Sequence, residues 1–192
     1  PTAGESDRRV PEDGILPTDT PPKIDASWKA HIAHCLQNNH MKKLVLHASW
    51  EHRLHRLADA IQQAHSMKRS ALVLTGEIAR ASWLTQQLSR LTGLQITLAH
   101  PSSQSARWPQ NQGQTPSVVV GTRSAIFSPL QSIGLIWVEG EEDSALKEPQ
   151  EPRYHAREVA SLRAESEHAL VVLASAHPSL ESRFDIEAEI HH

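Results

Sequence analysis

The chain has 192 residues, with 19 Lys and Arg against 22 Asp and Glu, 13 His, 12 Pro, eight Gly and a single Cys. That length suits one domain with tails or two small ones. One Cys excludes a disulfide framework and any multi-Cys zinc site within the chain, and no apolar run approaches the ~20 residues that span a bilayer. A formal net charge of -3 argues against binding nucleic acid by bulk charge, although a local basic patch stays possible.

Residues 1–24 carry five of the twelve prolines among Gly, Ser, Thr and Asp, and read as a disordered tail or linker. Asp25 or Ser27 can cap a lead-in helix over 25–40, with Trp28, Ile32, Cys35 and Leu36 on one face. From residue 41 apolar runs of strand length alternate with helical periods. Residues 43–47 read as a strand. Leu54, Leu57, Ala58 and Ile61 follow at helical spacing, and 71–74 form a second strand. A helix with Trp83, Leu84, Leu88 and Leu91 closes at Gly93, and 94–99 form a third strand. A polar loop with Pro101, Pro109, Gly113 and Pro116 leads to strands at 118–120 and 135–138, a helix over 155–165 and a strand at 170–173. Short strands apolar throughout, separated by amphipathic helices, imply an α/β fold with a mostly parallel sheet covered by helices on both faces. One domain over 41–185 is expected, with a short tail at 186–192.

In such sheets ligands gather beyond the carboxyl ends of the strands. That rule selects His47-Ala48-Ser49, Thr75-Gly76-Glu77, His100, Gly121-Thr122-Arg123-Ser124, Glu139 to Asp143, and Ala174 to His177. A phosphate cradle needs glycines for close backbone approach, a Lys for the outer phosphates and a hydroxyl for magnesium. His47 to Leu54 reads His-Ala-Ser-Trp-Glu-His-Arg-Leu, with no glycine and no Gly-Lys-Ser/Thr. Glu139, Glu141, Glu142 and Asp143 offer carboxylates for a divalent cation. A solvated acidic turn is the preferred reading, because such runs are usually exposed. At Gly121 the backbone can approach a phosphate, with donors from Thr122, Arg123 and Ser124; the alternative pairs Arg123 with a nearby acid. His31 with His34 and His52 with His55 have helical spacing, but with His47, His100 and His177 they fix no complete ligand set, so no metal is expected. Trp28 and Trp83 fit helix faces and Trp137 a strand. Trp50 and Trp108 are read as loop residues that could stack on a base.

Gly121 to Phe127, Pro129-Leu130, Leu135-Ile136, Glu141, Asp143-Ser144, Lys147, Arg153 to Ala160 and Ser175 to Glu181 together resemble the first helicase lobe of the primosomal replication-restart protein PriA. Ala71 to Leu74, Glu77-Ile78 and His100 fit the same lobe in order, so the resemblance covers about residues 41–185. It implies a RecA-like lobe of the P-loop NTPase type. Active members are ATP-driven DNA helicases built from two such lobes. Their phosphate-loop glycines, Lys and Thr fall on His47, Trp50, His52, Arg53 and Leu54. Their magnesium-holding Asp falls on Glu139 and their water-activating Glu on Gly140, followed by Glu141. Their coupling motif Gly-Ser-Ala-Thr falls on Ala174 to His177.

The resemblance therefore implies a pseudo-helicase without ATP hydrolysis and with no cofactor. It would be a cytoplasmic protein that meets forked or single-stranded DNA, and primosome or replication proteins, through Gly121, Thr122, Arg123, Ser124, Arg153 and His155. His155 is read as an oriented structural or DNA-proximal residue. The other readings are a protein–protein interaction module built on a retired helicase lobe, and an ATPase using the acidic cluster as unconventional ligands.

Overall fold

The computed structural model describes residues 26–37, 42–99 and 116–182. The proline-rich stretch, His100, Trp108 and residues 186–192 lie outside them. The described elements are α1 (Ala26–Gln37), β1 (Lys42–His47), α2 (Trp50–Ser66), β2 (Ser70–Leu74), α3 (Ile78–Thr92), β3 (Ile96–Ala99), β4 (Val118–Gly121), β5 (Ile133–Glu139), α4 (Ala156–Glu167) and β6 (Leu170–Ser175). Two 3-10 turns, Arg123–Phe127 and Ser144–Leu146, lie between strands and helices.

The six strands form one sheet in the order β1-β6-β5-β2-β4-β3, and every pairing is parallel. Parallel strands need crossover connections, and helices that pack back on the sheet supply most of them. The strand period of two divides the core in two. Ala71, Val73, Val118, Val120, Leu135, Trp137, Leu170 and Val172 face one side, with α1, α2 and α3 packed on them. Leu72, Leu74, Val119, Ile136, Val138, Val171 and Leu173 face the other, covered by α4 and both 3-10 turns. Central strands β2, β5 and β6 are buried along their whole length, which is why their sequences are apolar without alternation.

Local signals set the helix ends. Gly93 adopts φ +71 at the end of α3, and its N–H donates to Ser89 O. His155 precedes α4 and caps it with its ring: Nδ1 accepts from Arg157 N at 3.2 Å. One expectation is corrected. Trp50 does not lie in a loop but is the first residue of α2, with only Ala48 and Ser49 between it and the end of β1.

Candidate functional site

The carboxyl ends of the strands form one edge, and hydrogen bonds knit it together. Ala48 N donates to Ser175 O at the end of β6, Gly140 N donates to Ala174 O, and Thr75 N donates to Gly121 O. The Ser175 hydroxyl accepts from His177 N at 2.7 Å. The segments selected from strand-end positions thus share an edge, within the described residues.

At the start of α2 the chain passes straight from strand to helix. Ser49 stands at the N-cap without a side-chain cap bond; its hydroxyl lies 2.7 Å from His52 Nδ1 instead. His47 and His52 are exposed, and Leu54 is buried in the core. Arg53 is the informative residue. Its side chain is only 4% exposed, and Nε and Nη2 both donate to Glu139 Oε1 at 2.8 Å. Nη1 donates to Ala48 O at 2.6 Å. The other Glu139 oxygen accepts from Trp137 Nε1 at 3.1 Å. Both carboxylate oxygens at the end of β5 are therefore held by donors of the chain itself.

Around this pair lies a stack of rings and cations. The Arg53 guanidinium is 5.5 Å from the Trp50 ring centroid, and that of Arg80 is 5.4 Å from the same ring. Trp50 and Trp83 meet at 5.3 Å with planes tilted by 48°. Burial pushes the Glu139 carboxyl above its ordinary range, against the pull of Arg53, the Trp137 N–H and Arg80.

The acidic turn after β5 is not solvated as expected. Glu139 and Glu141 are 1% and 0% exposed; Glu142 alone behaves as a surface carboxylate, while Asp143 accepts from Ala145 N at 2.8 Å. Glu141 accepts from Arg157 Nη1 at 2.8 Å, from Ser179 N at 2.6 Å and from the Ser179 hydroxyl at 3.1 Å. Burial opposes its ionisation, but Arg157, the Ser179 N–H and the serine hydroxyls outweigh that and hold its pKa low. The expectation failed because the arginines that bury these acids come from α2 and α4, far away in sequence. Gly140 between them sits at φ +65, where an added Cβ would meet nothing nearer than Arg80 Nη1 at 3.8 Å. Conformation, not space, favours glycine there.

A nucleotide with magnesium does not fit this donor set. Glu139, on which the resemblance places the metal-holding carboxylate, is paired with Arg53, the Leu54 side chain has no oxygen, and Gly140 has no side chain. Among the described residues no group of three or more His, Cys, Asp or Glu is placed to hold a metal ion.

The other half of the edge carries the residues read as a DNA contact. Gly121 is buried at the end of β4, where an added Cβ would come within 2.6 Å of Ala125 Cβ and 2.9 Å of Ala99 Cβ. Close packing of the following 3-10 turn thus requires glycine. Thr122 is half-buried and Ser124 exposed. Arg123 Nε donates to Glu148 Oε2 at 2.9 Å, and Nη1 donates to Ala145 O at 3.3 Å. The nearby-acid alternative for Arg123 is therefore the pairing seen. Arg153 is exposed beside Glu151 at 3.3 Å. His155 is turned to its capping role, and burial, then Arg157 and Lys147, lower its pKa. The reading of the residues missed Arg157 as the holder of Glu141, Trp137 as a donor and Arg80 as a cation on Trp50. Only Arg157 carried a signal, its place in the Arg153 to Ala160 match.

Replication restart protein PriA of Synechocystis sp. is 42% identical over 119 residues, covering 59% of this chain and 14% of the relative. The Bacillus subtilis PriA is 35% identical over 127 residues (64% and 16%), and the Helicobacter pylori protein 38% over 132 residues (64% and 20%). The chain is PriA-like. It spans only 14% to 20% of the length of these relatives. No family model matches it. The fold of the PriA-like lobe is that of RecA-like helicase domains. A DEAD box protein from Methanococcus jannaschii superposes with a TM-score of 0.52 at 13% identity, covering 83% of this chain and 46% of that one. S. cerevisiae Dbp5 bound to RNA and ADP BeF3 gives 0.53 at 15% identity, covering 77% and 39%. The chain is thus similar in sequence to a segment of replication restart protein PriA and in fold to RecA-like helicase domains. Among its described residues no helix is long and apolar enough to cross a membrane.

Proposed function

We propose that the chain is a DNA-associated lobe of a PriA-like replication-restart protein that does not hydrolyse ATP and does not unwind DNA. The observation that carries this reading is the buried Arg53–Glu139 pair. A helicase lobe of this type needs a free carboxylate at the end of β5 to hold magnesium against the phosphates, with a Lys from the first helix on the outer phosphates. Here the residues at those two positions satisfy each other, and the ring of Trp50 fills the side where glycines would admit the nucleotide. Displacing Arg53 from Glu139 would expose an unpaired buried carboxylate, a cost of several kcal/mol that nucleotide binding would have to meet first.

DNA association rests on the PriA-like sequence and on the exposed Ser124, Arg153 and half-buried Arg123 at the β4 side of the edge. Partners would be forked or single-stranded DNA and other replication proteins. The test is fluorescence anisotropy of a labelled fork with the full chain, alongside phosphate release in the presence of magnesium, ATP and the same fork. The expected result is fork binding that weakens with salt and in Arg123→Ala, with no phosphate release above the protein-free rate. DNA-stimulated release abolished by Glu139→Gln would overturn the non-catalytic reading. Fork binding unchanged in Arg123→Ala would overturn the contact.

A further inference from the structure

We propose that Glu148 guards the nucleic-acid contact of Arg123, so that a DNA phosphate binds there only by displacing an intramolecular carboxylate. This rests on the DNA reading above and adds a regulatory element to that same site.

Arg123 begins the 3-10 turn after β4. Its guanidinium is the donor that the strand-end position offers to a phosphate, and Nε, one corner of the donor fork, is already given to Glu148 Oε2 at 2.9 Å. The carboxylate imitates the phosphate chemically: a negatively charged oxygen, Oε2, accepts at the edge of the planar guanidinium. Glu148 is itself well placed. Its N–H donates to Tyr154 O at 2.8 Å, its Oε1 accepts from Gln150 N at 3.1 Å, and Lys147 beside it bridges to His155. The segment between the Ser144–Leu146 turn and α4 is thereby fixed with the acid presented to Arg123. Both partners are partly shielded, at 34% and 20% side-chain exposure, so water screens this pair less than a surface pair. The neighbouring Arg153–Glu151 pair is longer, at 3.3 Å, with both side chains at least three-quarters exposed. Such a pair is held weakly and would yield to a phosphate at little cost. The guard therefore belongs to Arg123 and not to Arg153. Three of the four groups come from residues 148–153, so this one loop sets the charge met by an approaching strand.

The test is a double-mutant cycle on fork affinity, measured by anisotropy with the full chain. Glu148→Gln keeps the size of the side chain and an oxygen for Gln150 N but removes the charge. The expected result is about 2- to 5-fold tighter binding in Glu148→Gln, the fold-change matching a partly shielded ion pair. Arg123→Ala weakens binding and lowers the salt slope by about 1. In Arg123→Ala/Glu148→Gln the gain disappears. A gain that persists in the double variant shows a bulk charge effect and overturns the guard. Arg123→Ala weakening binding while Glu148→Gln leaves it unchanged also overturns the guard but keeps the DNA contact. Arg123→Ala without effect overturns both.

Discussion

Arg53 and Glu139 are 86 positions apart in sequence and within 2.8 Å in space. Their identities follow from composition at single positions, but their pairing does not, because nothing local links the first turn of α2 to the end of β5. That His47 to Leu54 holds no glycine and no Lys was legible in the sequence; that Arg53 pairs with Glu139 was not. Energetically the pair is a liability as much as a support, since burial raises the pKa of Glu139 and Arg53, Trp137 and the nearby Arg80 hold its charge. Arg53→Met should therefore cost about 3–5 kcal/mol by leaving the carboxylate buried and unpaired, whereas Arg53→Met/Glu139→Leu should recover most or all of that loss. Urea denaturation of the three proteins checks it. A double variant as unstable as the single one would show that packing around Arg53, not charge, sets the cost.

Among elements, strands were the most legible. Val118 to Val120, Leu135 to Val138 and Leu170 to Leu173 are buried on both faces and consist of apolar residues throughout. Gly93 marked the end of α3 for a conformational reason that sequence exposes directly. The start of α2 was less visible: its N-terminal residues are a Trp, a Glu, a His and an Arg, and the side chain of Ser49 caps nothing. The acidic turn was misread because its burial depends on Arg157 and Ser179, which come from α4 and the segment after β6.

The start of α4 yields a prediction of its own. The His155 ring accepts from Arg157 N, so it must be neutral at Nδ1, and burial with Arg157 and Lys147 nearby holds its pKa below 6.5, against the weaker opposite pull of Glu158 and Glu141. The folded chain then binds fewer protons than the unfolded one. The stabilisation is complete above pH about 6.5 and is lost as pH falls through the lowered value. Asn caps helices well and does not titrate there. His155→Asn should flatten the fall in stability just below pH 6.5 and leave the later loss from Glu141, whose low pKa acts below the ordinary carboxylate range. Superimposable pH–stability curves for the two proteins would contradict the capping role.

For the molecule as a whole, a six-stranded parallel sheet collects at one edge two regions of opposite character. On the β1, β5 and β6 side, charges are buried against each other and aromatic rings close the space. On the β4 side, arginines and hydroxyls reach solvent beside a loop that carries acids. The overall α/β architecture and the segments that line this edge were legible, because strand ends are readable from strand positions, but the burial of charge on one half was not. The wiring between them was not. The central claim is that the chain has kept a helicase lobe while its own side chains occupy the nucleotide position. A ligand that binds the folded state must raise its melting temperature by mass action, by several degrees for a chain of this size at a hundredfold excess over Kd. The direct measurement is the melting temperature of the full chain with and without millimolar magnesium and ATP. The account predicts no shift in the wild type; a rise of several degrees that Glu139→Gln abolishes would contradict it.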